Sequence, residues 1–153
     1  MNAEVALIFS TAEALQEWGA GLGSLLQAGD LLILTGGLGA GKTTLTQGIA
    51  RGLGVRGPIT SPTFVISRTH PSLVAGPPLV HVDAYRLDGA AELDDIDLDT
   101  DLESAVTIVE WGSGIAESLS EQRLELELSG EGARAVVLRA FGDRFDQLLT
   151  ALR

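Results

Sequence analysis

The sequence predicts an α/β fold, a mixed and partly parallel sheet flanked by helices, with an antiparallel hairpin near the C-terminus. Three observations predict it. Leu31-Leu32-Ile33-Leu34 is an uninterrupted apolar run, the pattern of a strand covered on both faces in a parallel sheet. Leu15, Trp18, Gly19, Leu22, Leu25 and Leu26 recur at i, i+3, i+4, i+7, i+10 and i+11, one apolar face of a helix. Leu124-Glu125-Leu126-Glu127-Leu128 alternates strictly, as does much of 134–139, and the Ser129-Gly130-Glu131-Gly132 turn between them makes a hairpin with one wet face.

The elements follow in order. Val5–Phe9 reads as a strand. Ser10 and Glu13 stand three apart, as in a capping box, ahead of a helix over about 11–28 that Gly29-Asp30 ends. The apolar strand at 31–34 runs into a glycine-rich turn, and a second helix extends from about Lys42 to Leu53, where Gly54 stops it. Phe64-Val65-Ile66 is a short strand, and Pro71 to Pro78 a proline-rich loop. Leu79–Val82 and Val106–Val109 are further buried-strand candidates. Between them runs an acidic segment from Asp88 to Glu103 without a basic residue, either a solvated face or a docking surface for a basic partner. Residues 143–153 form a closing helix. Trp18 belongs to the core and His70 to a loop. His81 lies within a strand, where it is a structural histidine or a hydrogen-bond support for Asp83. No repeat or linker interrupts the chain, so 1–153 is expected to be one domain.

Composition narrows the function. Of 153 residues, 45% are apolar and 20% charged, a globular balance. Lys and Arg total 10 against 21 Asp and Glu, a net charge of -11. That balance argues against direct DNA or RNA binding and against an anionic membrane surface, since both need a basic face. The absence of cysteine removes disulfides, thiolate metal sites and cysteine nucleophiles. No long apolar run and no basic, signal-like start is present, so a soluble cytoplasmic protein is expected.

Gly36-Gly37-Leu38-Gly39-Ala40-Gly41-Lys42-Thr43 satisfies G-x-x-x-x-G-K-[ST] between a strand and a helix, the context a phosphate loop requires. Such a loop turns successive backbone N–H groups onto a phosphate, and the helix start adds a favourable dipole. Gly37, Leu38, Gly39, Ala40, Gly41, Lys42, Thr43 and Thr44 are therefore candidate nucleotide-binding residues. Lys42, the only lysine in the chain, would reach the terminal phosphates, and the Thr43 hydroxyl would ligate Mg²⁺. The fold class sharpens to P-loop NTPase-like. Asp83 and Glu110 each follow a buried strand directly, where carboxylates face the ligand in such a sheet. Either would hold Mg²⁺ while the other orients water. In Thr60-Ser61-Pro62-Thr63-Phe64, Pro62 constrains the backbone before Thr63, which is a γ-phosphate sensor or part of an ordinary turn. Arg86 is a phosphate or partner contact, or else a salt bridge to the neighbouring acids.

Gly36 to Thr44, Ser61-Pro62-Thr63-Phe64, His81-Val82-Asp83-Ala84-Tyr85-Arg86-Leu87 and Glu110-Trp111 together resemble the TsaE (YjeE) family, in order and spacing. The resemblance implies a small P-loop ATPase that binds ATP and Mg²⁺ and hydrolyses slowly alone. It implies action with the TsaD–TsaB heterodimer in making threonylcarbamoyladenosine on tRNA, with tRNA met only indirectly. By the same resemblance, Thr43 and Glu110 fall on metal positions and Asp83 on a carboxylate important for hydrolysis. Thr63 falls on the switch threonine, Trp111 lies close to the nucleotide, and Arg134 borders the base. The family's first helix often carries threonine where this chain has Leu15, so no nucleotide contact carries over there. A small-molecule or nucleoside kinase, and a nucleotide-dependent binding module with negligible turnover, are the alternatives. The lone lysine excludes the usual guanine clamp Asn-Lys-x-Asp.

Overall fold

The computed structural model describes residues 3–36, 41–57, 67–83, 103–110, 122–130 and 133–152, with Ala3, Ser67 and Asp83 described by backbone alone. In chain order these form β1 (Ala3–Phe9), α1 (Ala12–Leu25), β2 (Leu31–Thr35), α2 (Lys42–Leu53), β3 (Ser67–His70), β4 (Leu79–Asp83), β5 (Val106–Glu110), β6 (Arg123–Ser129), β7 (Arg134–Phe141) and α3 (Asp143–Leu152).

The strands build one sheet in the order β1-β7-β6-β2-β5-β4-β3. Its four inner strands, β6, β2, β5 and β4, run parallel, and β3, β7 and β1 are antiparallel to their neighbours. The mixed sheet and the C-terminal hairpin are those expected. The hairpin pairs Ser129 with Ala135 and Arg123 with Phe141, and its outer strand is then joined along its length by β1. β2 and β5 are buried almost throughout, as their continuous apolar runs require.

One face of the sheet packs on α1 and α2, where Leu15, Leu22, Leu45 and Ile49 meet Leu32, Leu34, Ile108 and Leu126 in the main core. Phe145 and Leu148 bring α3 into the same core. Each such fully buried leucine contributes about 1.5–3 kcal/mol. The two long helices touch backbone to backbone. A Cβ on Gly23 would overlap the carbonyl of Ile49, and one on Gly52 that of Ala20, so only glycine admits this approach. Leu31, Ile33, Val80, Val82 and Val109 are also buried and, by alternation, stand on the opposite face.

Some local expectations shift by one to three residues: α1 ends at Leu25, not near 28. The cap of α1 is Thr11, whose extended backbone lets its Oγ1 accept from the Ala14 amide at 3.0 Å, and Ser10 lies outside the helix. The expected strand Phe64–Ile66 falls outside the described residues, and β3 begins at Ser67. His70 is the last residue of β3 rather than a loop residue. It is buried, with Nδ1–H donating to the Arg56 carbonyl at 3.1 Å. Trp18 is half-buried against the core and packs on Phe9, the rings tilted by 44° with centroids 5.4 Å apart. Among the described residues no helix is long and apolar enough to cross a membrane.

Candidate nucleotide site

The parallel strands deliver their C-terminal ends to one side of the sheet. β2 ends at Thr35, and the chain re-enters the described structure at Gly41 to begin α2. Gly41 has φ 109 and ψ 14, a left-handed conformation that a side chain would strain. A Cβ there would also lie 2.9 Å from Leu15 Cδ2 and 3.6 Å from Arg134 Nε. No side chain caps this helix start among the described residues, and the positive end of the helix dipole lies there. Such an end is a ready anion site.

Lys42 is 7% exposed and donates from Nζ to the Gly36 carbonyl at 2.6 Å. Its ammonium thus reaches back across the loop to the end of β2. Buried lysines are rare because desolvating the charge is costly. Its own carbonyl accepts from Thr46 Oγ1 at 2.8 Å, which anchors the first turn of α2. Thr43 and Thr44 occupy that turn and are half-buried.

Beside β2 stands β5, with Glu110 in register with Leu34, and beyond it β4, with Asp83 in register with Glu110. The two predicted carboxylate positions are therefore neighbours at the last rung of two parallel strands. Glu110 is only 3% exposed, and His81, fully buried, places Nε2 2.5 Å from Glu110 Oε2. The histidine's partner among the described side chains is therefore Glu110.

The fold gathers Gly41, Lys42, Thr43, Thr44, Asp83 and Glu110 at one end of the sheet. Arg134 joins them from the first position of β7, its Nη1 donating to the Gly130 carbonyl at 3.3 Å. Gly37, Leu38, Gly39, Ala40, Thr63, Trp111 and Arg86 lie outside the described residues. The contact that sequence reasoning did not name is that of His81 with Glu110. Its signal is there: two residues before Asp83 on a strand, His81 must share that residue's face, and the strand beside it ends in glutamate.

A family model described as "Threonylcarbamoyl adenosine biosynthesis protein TsaE" matches residues 9–136. A Streptomyces coelicolor protein named "tRNA threonylcarbamoyladenosine biosynthesis protein TsaE" is 56% identical over 135 residues, 88% of this chain and 85% of that one. A Mycobacterium tuberculosis protein of the same name is 55% identical over 117 residues, covering 72% and 70%. A Bacillus subtilis one is 39% identical over 127 residues, covering 81% and 78%. The crystal structure of Bacillus subtilis YdiB superposes with a TM-score of 0.80 at 30% identity, over 99% of this chain and 95% of that one. A P-loop junction on a partly parallel sheet and a match across most of the sequence lead to one conclusion: the chain belongs to the TsaE family of threonylcarbamoyl adenosine biosynthesis proteins.

Proposed function

We propose that this protein hydrolyses MgATP to drive or reset the TsaD–TsaB pair that makes threonylcarbamoyladenosine on tRNA. Membership in the TsaE family supplies the role in tRNA threonylcarbamoyladenosine biosynthesis and a P-loop, nucleotide-binding fold. The finer reading rests above all on one observation, the buried Lys42 ammonium spanning the loop to Gly36 beside the strand that ends in Glu110.

The residues present suit both ligands. An uncapped helix start and a lysine favour a polyphosphate, and the Thr43 hydroxyl with the Glu110 carboxylate are the hard oxygen donors that magnesium prefers. Bound Mg²⁺ would neutralise phosphate charge. In the reaction, a water oxygen bonds to the γ-phosphorus, the bond from that phosphorus to the β–γ bridging oxygen breaks, and the water's proton is released. Lys42 and the loop amides stabilise the charge growing on the phosphoryl oxygens. Asp83 and Thr63 position the water or the metal, and Glu110 with Thr43 hold the metal. Arg134 and Trp111 border the nucleotide. A net charge of -11 suits a protein that reaches tRNA through partners.

Calorimetry and phosphate release test this. Wild type should bind ATP with magnesium, and Lys42→Ala should weaken binding by about tenfold or more. Phosphate release should be slow alone and rise when TsaD and TsaB are added. Replacing Asp83 or Glu110 should lower turnover more than binding. No heat of binding would overturn the reading. Transfer to an added nucleoside would make the protein a kinase, and binding without turnover a nucleotide-ordered module.

A further inference from the structure

We propose that His81 is a positioning residue for Glu110: its Nε2–H holds one carboxylate oxygen and leaves the other to the metal. This rests on the MgATP reading above. Both side chains are withdrawn from water, His81 completely and Glu110 to 3% exposure, and Nε2 meets Oε2 at 2.5 Å. Among the described residues no hydrogen bond reaches Glu110 Oε1, and His81 Nδ1 has no partner. The pair is thus used on one side only. Around the pair on these two strands, Leu79, Val80, Val82, Val106, Ile108 and Val109 are buried and apolar, and Thr107 is buried with them. A buried ionisable pair in such surroundings is weak support for stability, because an apolar pair of similar volume is often as stable or more so. Glu110 ends β5 beside Leu34 of β2 and on the same rung as Asp83, and His81 stands two residues earlier on β4. A carboxylate fixed through one oxygen presents the other in a single direction, which is how hydrogen-bonded neighbours tune metal ligands.

Three substitutions in the full chain test the proposal. His81→Gln puts an amide N–H near the place of Nε2. His81→Asn places it one bond short, and His81→Leu removes it. Melting curves establish that each variant folds, and calorimetry measures ATP binding in EDTA and the magnesium affinity of the ATP-loaded protein. Magnesium affinity should fall about tenfold in His81→Leu and His81→Asn and return in His81→Gln, with ATP binding in EDTA unchanged. Equal magnesium affinity in wild type and His81→Leu would overturn the proposal. So would equal losses of ATP binding with and without metal, the mark of a purely structural role. If His81→Leu does not fold, the Gln and Asn variants decide, and equal metal affinities in those two overturn it. Wild type that binds no MgATP would sink the functional reading and this inference with it. Wild type that binds while His81→Leu matches it would sink the inference alone.

Discussion

The strands β2, β5 and β4 and the C-terminal hairpin β6–β7 treat polar residues in opposite ways. On the hairpin, burial alternates, and Glu127 and Arg139 point to water on the face away from the core. Arg139 donates to Glu4 and Glu127, both at 3.0 Å, and these ion pairs raise its pKa further. Exposed pairs of this kind are screened and add little to stability. On β5 every residue is buried, including Thr107 and Glu110. A carboxylate on a wet face needs no special account, whereas the carboxyl buried in β5 is the one we propose as a metal ligand.

The largest test of that contrast compares two glutamates at the carboxyl ends of adjacent regions. Glu110→Gln should lower phosphate release by about a hundredfold. Glu127→Gln should leave it within about twofold. Similar effects of the two would erase the distinction.

The contrast recurs on the helices that cover the inner strands. Gly52 faces α1, and a Cβ there overlaps the Ala20 carbonyl, whereas a Cβ on Gly21 meets nothing within 4 Å. Gly52→Ala should cost about 2–3 kcal/mol by overpacking. Gly21→Ala should stabilise by up to about 1 kcal/mol through helix propensity. Urea unfolding of the two variants measures both signs.

The smallest expected effect concerns His70, at the far edge of the sheet. Burial lowers its pKa from the ordinary 6.5, outweighing the bond to the Arg56 carbonyl. Below 6.5 the unfolded chain takes up this proton before the folded one. The stability is therefore complete above that pH and is lost as pH falls through the lowered folded value. His70→Gln should flatten the decline in unfolding free energy between about pH 7.5 and 5.5, and an unchanged slope would show that His70 carries none of it.

Much of this was legible beforehand, for reasons tied to particular residues. The bounds of α2 agree with the expected Lys42–Leu53 because glycines in left-handed conformations punctuate both ends, Gly41 before it and Gly54 after it. The hairpin was legible because period-two alternation fixes which face is wet. The cap of α1 was not, since Ser10 and Thr11 are adjacent hydroxyls and only the backbone selects between them. β3 was harder still. Ser-Arg-Thr-His carries no apolar pattern and is a strand because the edge of β4 offers it hydrogen bonds. His81 and Glu110 lie 29 residues apart, and nothing local joins them.

Taken alone, the order of amino acids determined the helices, the phosphate loop with its single lysine and the carboxylates that end strands, because spacing along the chain settles these. Tertiary structure alone decided that β4 lies beside β5 in parallel, so that His81 meets Glu110. The physical reason is that strand pairing joins residues distant in sequence, and a side chain's hydrogen-bond partner exists only once the register is set.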